Sequence, residues 1–194
     1  MKLKFYIPLL LGLLFSVTNV KAQDVAIKTN LLYDATATVN IGVEVGVAPK
    51  WTLDLSGNLN AWNIDQNTKW RHWLVQPEAR YWFCDRFSRH FLGFHVQGGQ
   101  YNIGGVDGGF RFLGTNFQNL AENRYQGYTV GAGIAYGYAF ILGKHWNLEL
   151  EIGVGYGYAT YDRFECTGCG RKVGTGDHHY VGPTKAGINL VYVF

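Results

Sequence analysis

This sequence predicts an all-β fold: an eight-stranded antiparallel up-and-down transmembrane β-barrel behind a cleaved signal peptide. Three observations predict it. Residues 146–158 set Trp146, Leu148, Leu150, Ile152, Val154, Tyr156 and Tyr158 against Asn147, Glu149, Glu151, Gly153, Gly155 and Gly157. Successive strand side chains point to opposite faces, so this is one apolar and one polar face. The last ten residues, KAGINLVYVF, alternate in the same way and stop on Phe194. Composition agrees, with 16% aromatic residues, 26 glycines and only 16% charged residues. A soluble domain carries about 25% charge.

The N-terminus reads MKLKFYIPLLLGLLFSVTNVKAQ. Lys2 and Lys4, an apolar run from Phe5 to Val17 and the small Ala22 form a secretory signal peptide over residues 1–22. A membrane anchor is the alternative, but the run falls short of the roughly 20 residues a spanning helix needs. Residues 23–194 are then one barrel domain. The formal charge of +3 includes the leader lysines and gives no ground for a nucleic-acid partner.

The strands follow in order. Residues 25–32 carry Lys28 and Asn30 on their polar side. Residues 39–47 set Val and Ile against Asn40, Gly42, Glu44 and Gly46. Residues 51–62 set Trp51, Leu53, Leu55 and Leu59 against Thr52, Asp54, Ser56, Asn58 and Asn60. Residues 72–83 alternate through Pro77, which removes a ladder donor. Residues 91–101 oppose His95 and Gln97 to Leu92, Phe94 and Val96. Residues 128–142 and 146–158 flank the short turn at Gly143, and residues 185–194 close the ring. Short connectors (48–50, 84–90, 143–145) alternate with longer ones (63–69, 102–124, 162–182), as in outer-membrane barrels. Trp51, Phe83, Phe140, Trp146, Tyr192 and Phe194 would form a lower aromatic girdle, and Tyr33, Trp73, Tyr128 and Tyr158 an upper one.

A soluble lipocalin-like barrel has the same strand count with its faces reversed. Lipid outside is favoured because the polar face is crowded with Gly and the apolar face of the strongest strands lacks charge.

An eight-stranded interior is filled by side chains. The inward set is Lys28, Glu44, Asp54, Glu78, Arg80, His95, Glu149, Glu151 and Lys185. Charges inside a narrow barrel must pair. They form a salt-bridged plug or, alternatively, a proton or ion path. Glu149 and Glu151 lie on one face and would share Arg80 or Lys28. Cys166 and Cys169 flank a tight loop. A disulfide is the default in an exported chain, with free thiols or a zinc site as alternatives. No cofactor and no metal is expected. Lipid-modifying barrels generally need a serine near the outer leaflet, and Ser56 in mid-strand and Ser88 in a lower turn do not suit that chemistry. A peptide-cleaving site would have to gather His72, Asp107, Asp177, His178 and His179.

The last strand, with Lys185, Gly187, Leu190, Tyr192 and Phe194, resembles the signal by which Gram-negative outer-membrane barrels are recognised for assembly. The segments KTNLLYDATATVNIGVEVG, WRHWLVQPEARYWFCDRF and GFHVQGGQYN resemble an uncharacterised family of Bacteroidetes outer-membrane barrel proteins. The architecture is also similar to the transmembrane domain of OmpA. The resemblance implies an outer-membrane location and a role accessory to fimbrial or envelope assembly. The implied partners are outer-membrane lipid, the barrel assembly machinery and other surface or fimbrial proteins. No catalytic residue carries over. The function expected is structural or surface-interacting rather than enzymatic. A lipid- or peptide-modifying enzyme and a narrow solute channel are the alternatives.

Overall fold

The computed structural model describes residues 24–62, 69–105, 111–112, 115–116, 123–165 and 170–194. The expected leader, residues 1–22, lies outside them.

Eight antiparallel strands close into a ring: β1 Val25–Asn30, β2 Val39–Ala48, β3 Trp51–Asn60, β4 Lys69–Trp82, β5 Arg89–Gly104, β6 Arg124–Ile141, β7 Trp146–Phe164 and β8 Lys172–Val193. Each strand pairs with its neighbours in sequence, and β1 meets β8 from Ala26↔Val193 to Asn30↔Asn189. Arg111–Phe112 and Thr115–Asn116 pair as a separate small hairpin. The tight turns share one end of the barrel with Val25 and Phe194, here called the lower end. There the Phe194 amide donates to the Val25 carbonyl at 3.0 Å.

Alternation alone left open which face was inside. The structure puts the polar face in the lumen. Glu44, Thr52, Arg80 and Glu149 are fully buried, whereas Leu53, Leu55, Ile134, Ile152 and Val154 on the outer wall are 50–61% exposed.

Three local departures from the expected elements have physical causes. Leu31 and Leu32 do not extend β1; they open a short helix, α1 Leu31–Ala35. Asn30 stops the strand because its side chain accepts from the Leu32 amide at 3.1 Å, capping the helix. The same side chain donates to the Ala186 carbonyl at 3.1 Å, so α1 is anchored against the β8 edge. The connector expected over residues 162–182 is largely strand, because β7 and β8 stay paired up to Phe164↔Lys172. Most of β8 thus rises above β1, with 22 residues against 6. In β4, Pro77 keeps its place opposite Leu55 of β3, while the recorded pairing to β5 skips from Val75↔Gly98 to Glu78↔His95. The missing proline N–H interrupts that ladder without ending the strand.

Candidate functional site

The lumen is stacked in layers. At the lower end Trp82 packs on Phe91 and Phe87, with ring centroids 4.8 and 5.9 Å away, beside Ala26, Ala139 and Val191. This apolar floor lies inside the barrel because Trp82 shares the inward parity of Arg80 and Glu78.

Above it lie the charges, and Arg80 of β4 is their hub. Its Nε reaches Glu78 Oε1 at 2.6 Å, and its Nη1 reaches Glu44 Oε2 at 2.8 Å and Glu149 Oε2 at 3.0 Å. Its Nη2 reaches Glu151 Oε2 at 2.9 Å. The guanidinium also lies 4.4 Å over the Phe91 ring, joining the charges to the floor. Lys28 contacts Glu44, with Asp54 Oδ1 at 3.2 Å and Glu149 Oε2 at 3.5 Å. Lys185 reaches Glu78 Oε2 at 2.5 Å and Glu151 Oε1 at 3.1 Å. His95 Nε2 lies 2.8 Å from Thr184 Oγ1, and its Nδ1 is 4.0 Å from Glu78 Oε2. All nine charge-bearing positions singled out in the sequence therefore meet in one network. Glu149 and Glu151 share Arg80.

Three further contributions complete this network. Thr52 donates to Glu44 and accepts from Trp82 Nε1 at 2.9 Å, linking floor and charges. Thr184 is the extra residue where the register shifts between Pro183↔Val154 and Lys185↔Gly153. That bulge turns two consecutive side chains, Thr184 and Lys185, into the lumen. Thr52 was readable by parity; the bulge had no signal beyond the adjacent proline. Glycine makes the third contribution: a Cβ on Gly133 would stand 2.8 Å from Thr184 Oγ1 and 2.9 Å from His95 Cε1. Gly133 leaves room for the imidazole.

Higher still, Gln76 Nε2 donates to Gln97 Oε1 at 2.8 Å, and a cup opens at the upper end. At this height on the outer face, Asp162 is tied to Lys172 Nζ at 2.7 Å and to the Thr175 hydroxyl at 3.2 Å. Lys172 beside it holds the Asp162 carboxyl below its ordinary value.

The remaining candidates are scattered. His72 lines the cup, whereas Asp177 and His179 pair at 3.4 Å between half-exposed side chains. Asp107 lies outside the described residues. Ser56 donates to the Gln76 carbonyl at 3.2 Å. In the proposed assembly segment, Lys185 and Gly187 face in, Leu190 and Tyr192 share the outer face of β8, and the exposed Phe194 follows its end. Cys84 is exposed and free, and the Cys166–Cys169 pair lies outside the described residues. Among the described residues no group of His, Cys, Asp and Glu is arranged to hold a metal ion.

The family model described as "Protein of unknown function (DUF3575)" matches residues 8–194. The chain belongs to this family. No curated protein and no solved structure matches it. For this DUF3575 member, function has to be argued from the barrel itself: an apolar wall, a charged and filled lumen, and an open cup above it.

Proposed function

We propose that this chain is a small closed outer-membrane barrel with a structural or surface-interaction role, accessory to fimbrial or envelope assembly. In this reading a leader cleaved after Ala22 exports it from a Gram-negative cell, and both mature termini lie in the periplasm.

The observation that carries the reading is the inversion of the two faces. Isolated exposed hydrophobics are ordinary on soluble proteins, but a continuous apolar wall is not. Here Val39, Ile41, Leu53, Leu55, Ile152 and Val154 are each more than half exposed, while the lumen holds the charges. Lipid is the solvent that suits such a wall. Trp51, Phe83, Phe140, Trp146 and Phe194 are exposed around the lower end, where an interfacial aromatic belt would sit. On this reading the barrel assembly machinery reads the strand ending in Phe194. The stacked aromatic floor and salt-bridge network support a closed barrel over a solute channel.

The test is a fractionation with two readouts. The protein should appear in the outer-membrane fraction with heat-modifiable gel migration, and vesicles containing it should not swell in isotonic small sugars. Recovery as a soluble periplasmic protein would refute the location. Swelling above that of empty vesicles would refute the closed lumen.

A further inference from the structure

We propose that the lumen network is a proton-binding site, which at neutral pH holds protons on Asp54, Glu149 and Glu151. The inference rests on the lumen alone and not on the membrane location proposed above.

The lumen carries more negative than positive charge. Glu44, Asp54, Glu78, Glu149 and Glu151 meet there, each no more than 6% exposed. Against these five carboxyls stand three permanent cations, Lys28, Arg80 and Lys185. His95 of β5 adds at most one positive charge, and β6 faces it with Gly133 and Ala135. Arg86, nearer the lower end, is spent on Asp24. Tyr33 of α1 borders the network, and its phenol stays neutral until about pH 10. Two surplus negative charges therefore remain with a neutral His95, and one with an imidazolium. A buried ion without compensation costs so much that the group takes up a proton instead.

The hydrogen bonds single out three of the five. Glu44 is bonded at both oxygens, by Thr52 and Arg80, and so is Glu78, by Arg80 and Lys185. Asp54 Oδ1, Glu149 Oε1 and Glu151 Oε1 are buried without a hydrogen-bond partner. Lys28 and Lys185 lie 3.2 and 3.1 Å from the first and third, as ion-pair contacts only. Glu151 also stands in hydrogen-bond contact with Glu78. Two carboxylates repel at that range, and one proton turns the pair into a bond.

A proton also suits the space. The cavity lined by Asp54, Glu151 and Lys185 measures about 20 Å³, room for about one water. A calcium ion takes about six to eight oxygen ligands, and among the described residues no acidic group is arranged for a metal.

Unfolding releases these protons, because a carboxyl in water ionises above about pH 4. The folded barrel then binds more protons than the unfolded chain, so raising the pH weakens it. The folding constant falls about tenfold per pH unit for each proton held.

The test is infrared spectroscopy of the full mature chain folded in detergent micelles at about pH 7, where water-exposed carboxyls are ionised. The carbonyl band of a protonated carboxyl should be present in the folded barrel and absent after boiling in dodecyl sulfate at the same pH. Glu149→Gln combined with Glu151→Gln leaves three carboxylates against three cations. This double variant, with folding checked by heat-modifiable migration, should lose the band. It should also lose the parent's decline in stability between about pH 7 and 9, a window above the ordinary histidine and below the ordinary lysine value. Should the double variant fail to fold, Asp54→Asn should weaken the band, and Lys28→Met, which adds a surplus charge, should strengthen it. No protonated-carboxyl band in the folded parent, or a band of unchanged size in these variants, would overturn the proposal.

Discussion

Thr184 and Lys185 are adjacent in sequence and both face the lumen, Thr184 Oγ1 lying 2.8 Å from His95 Nε2 and Lys185 Nζ 2.5 Å from Glu78 Oε2. A regular strand would send one of them outward. The bulge at Thr184 is what lets a single strand close both sides of the His95–Glu78 corner.

Removing the Thr184 hydroxyl isolates His95. Thr184→Val keeps the shape and leaves Nε2 buried without a partner, a loss of about 1–3 kcal/mol. Thr184→Ser should be close to neutral. Urea unfolding of barrels folded into lipid vesicles separates the two, and equal stability of both variants would dismiss the contact.

Arg80 has a larger share. Its guanidinium contacts Glu44, Glu78, Glu149 and Glu151 within 3.0 Å. Arg80→Met strands buried carboxylates, and breaking one side of a buried ion network costs about 3–5 kcal/mol. The expected result is a lowered urea midpoint with an unchanged slope. If the midpoint does not move, the network is not what holds the lumen together.

On the outer face near the upper end of β7, the Asp162 carboxyl has a measurable acid dependence. Its pKa is depressed by the hydrogen bond from Lys172. A depressed folded value means that the pair's contribution is present above the unfolded aspartate value of about 4 and is lost as pH falls through the folded value. The pair is 40–49% exposed, so the contribution to stability is small. The direct readout is an NMR titration of the Asp162 carboxyl carbon. Lys172→Ala should move its midpoint upward, and an unmoved midpoint would remove Lys172 as the cause.

What the sequence made legible was periodicity. Strands β2 to β7 set mostly Val, Leu, Ile and aromatics outward at alternate positions over their lower parts, and that spacing marks each of them. The charged residues of the network were found because they share the opposite parity. Parity is silent on three points. It does not say which face is inside; burial of Glu44 and Arg80 decides that. It does not register a bulge, because Thr184 adds one residue without changing composition. It also fades above the apolar wall, where Gly174, Gly176, Asp177 and His178 continue β8 with no hydrophobic face to mark. At α1 the pair Leu31–Leu32 reads as strand, although Asn30 supplied a capping signal.

The central claim is that the outer wall faces lipid, and Ile152, 61% exposed on β7 amid Leu150 and Val154, tests it most directly. The measurement is the unfolding free energy of Ile152→Arg against the parent barrel in lipid vesicles. A lipid-facing position predicts a loss of about 2–4 kcal/mol for a cation near the membrane midplane. A change within about 0.5 kcal/mol, the usual range at a water-exposed surface, would contradict it.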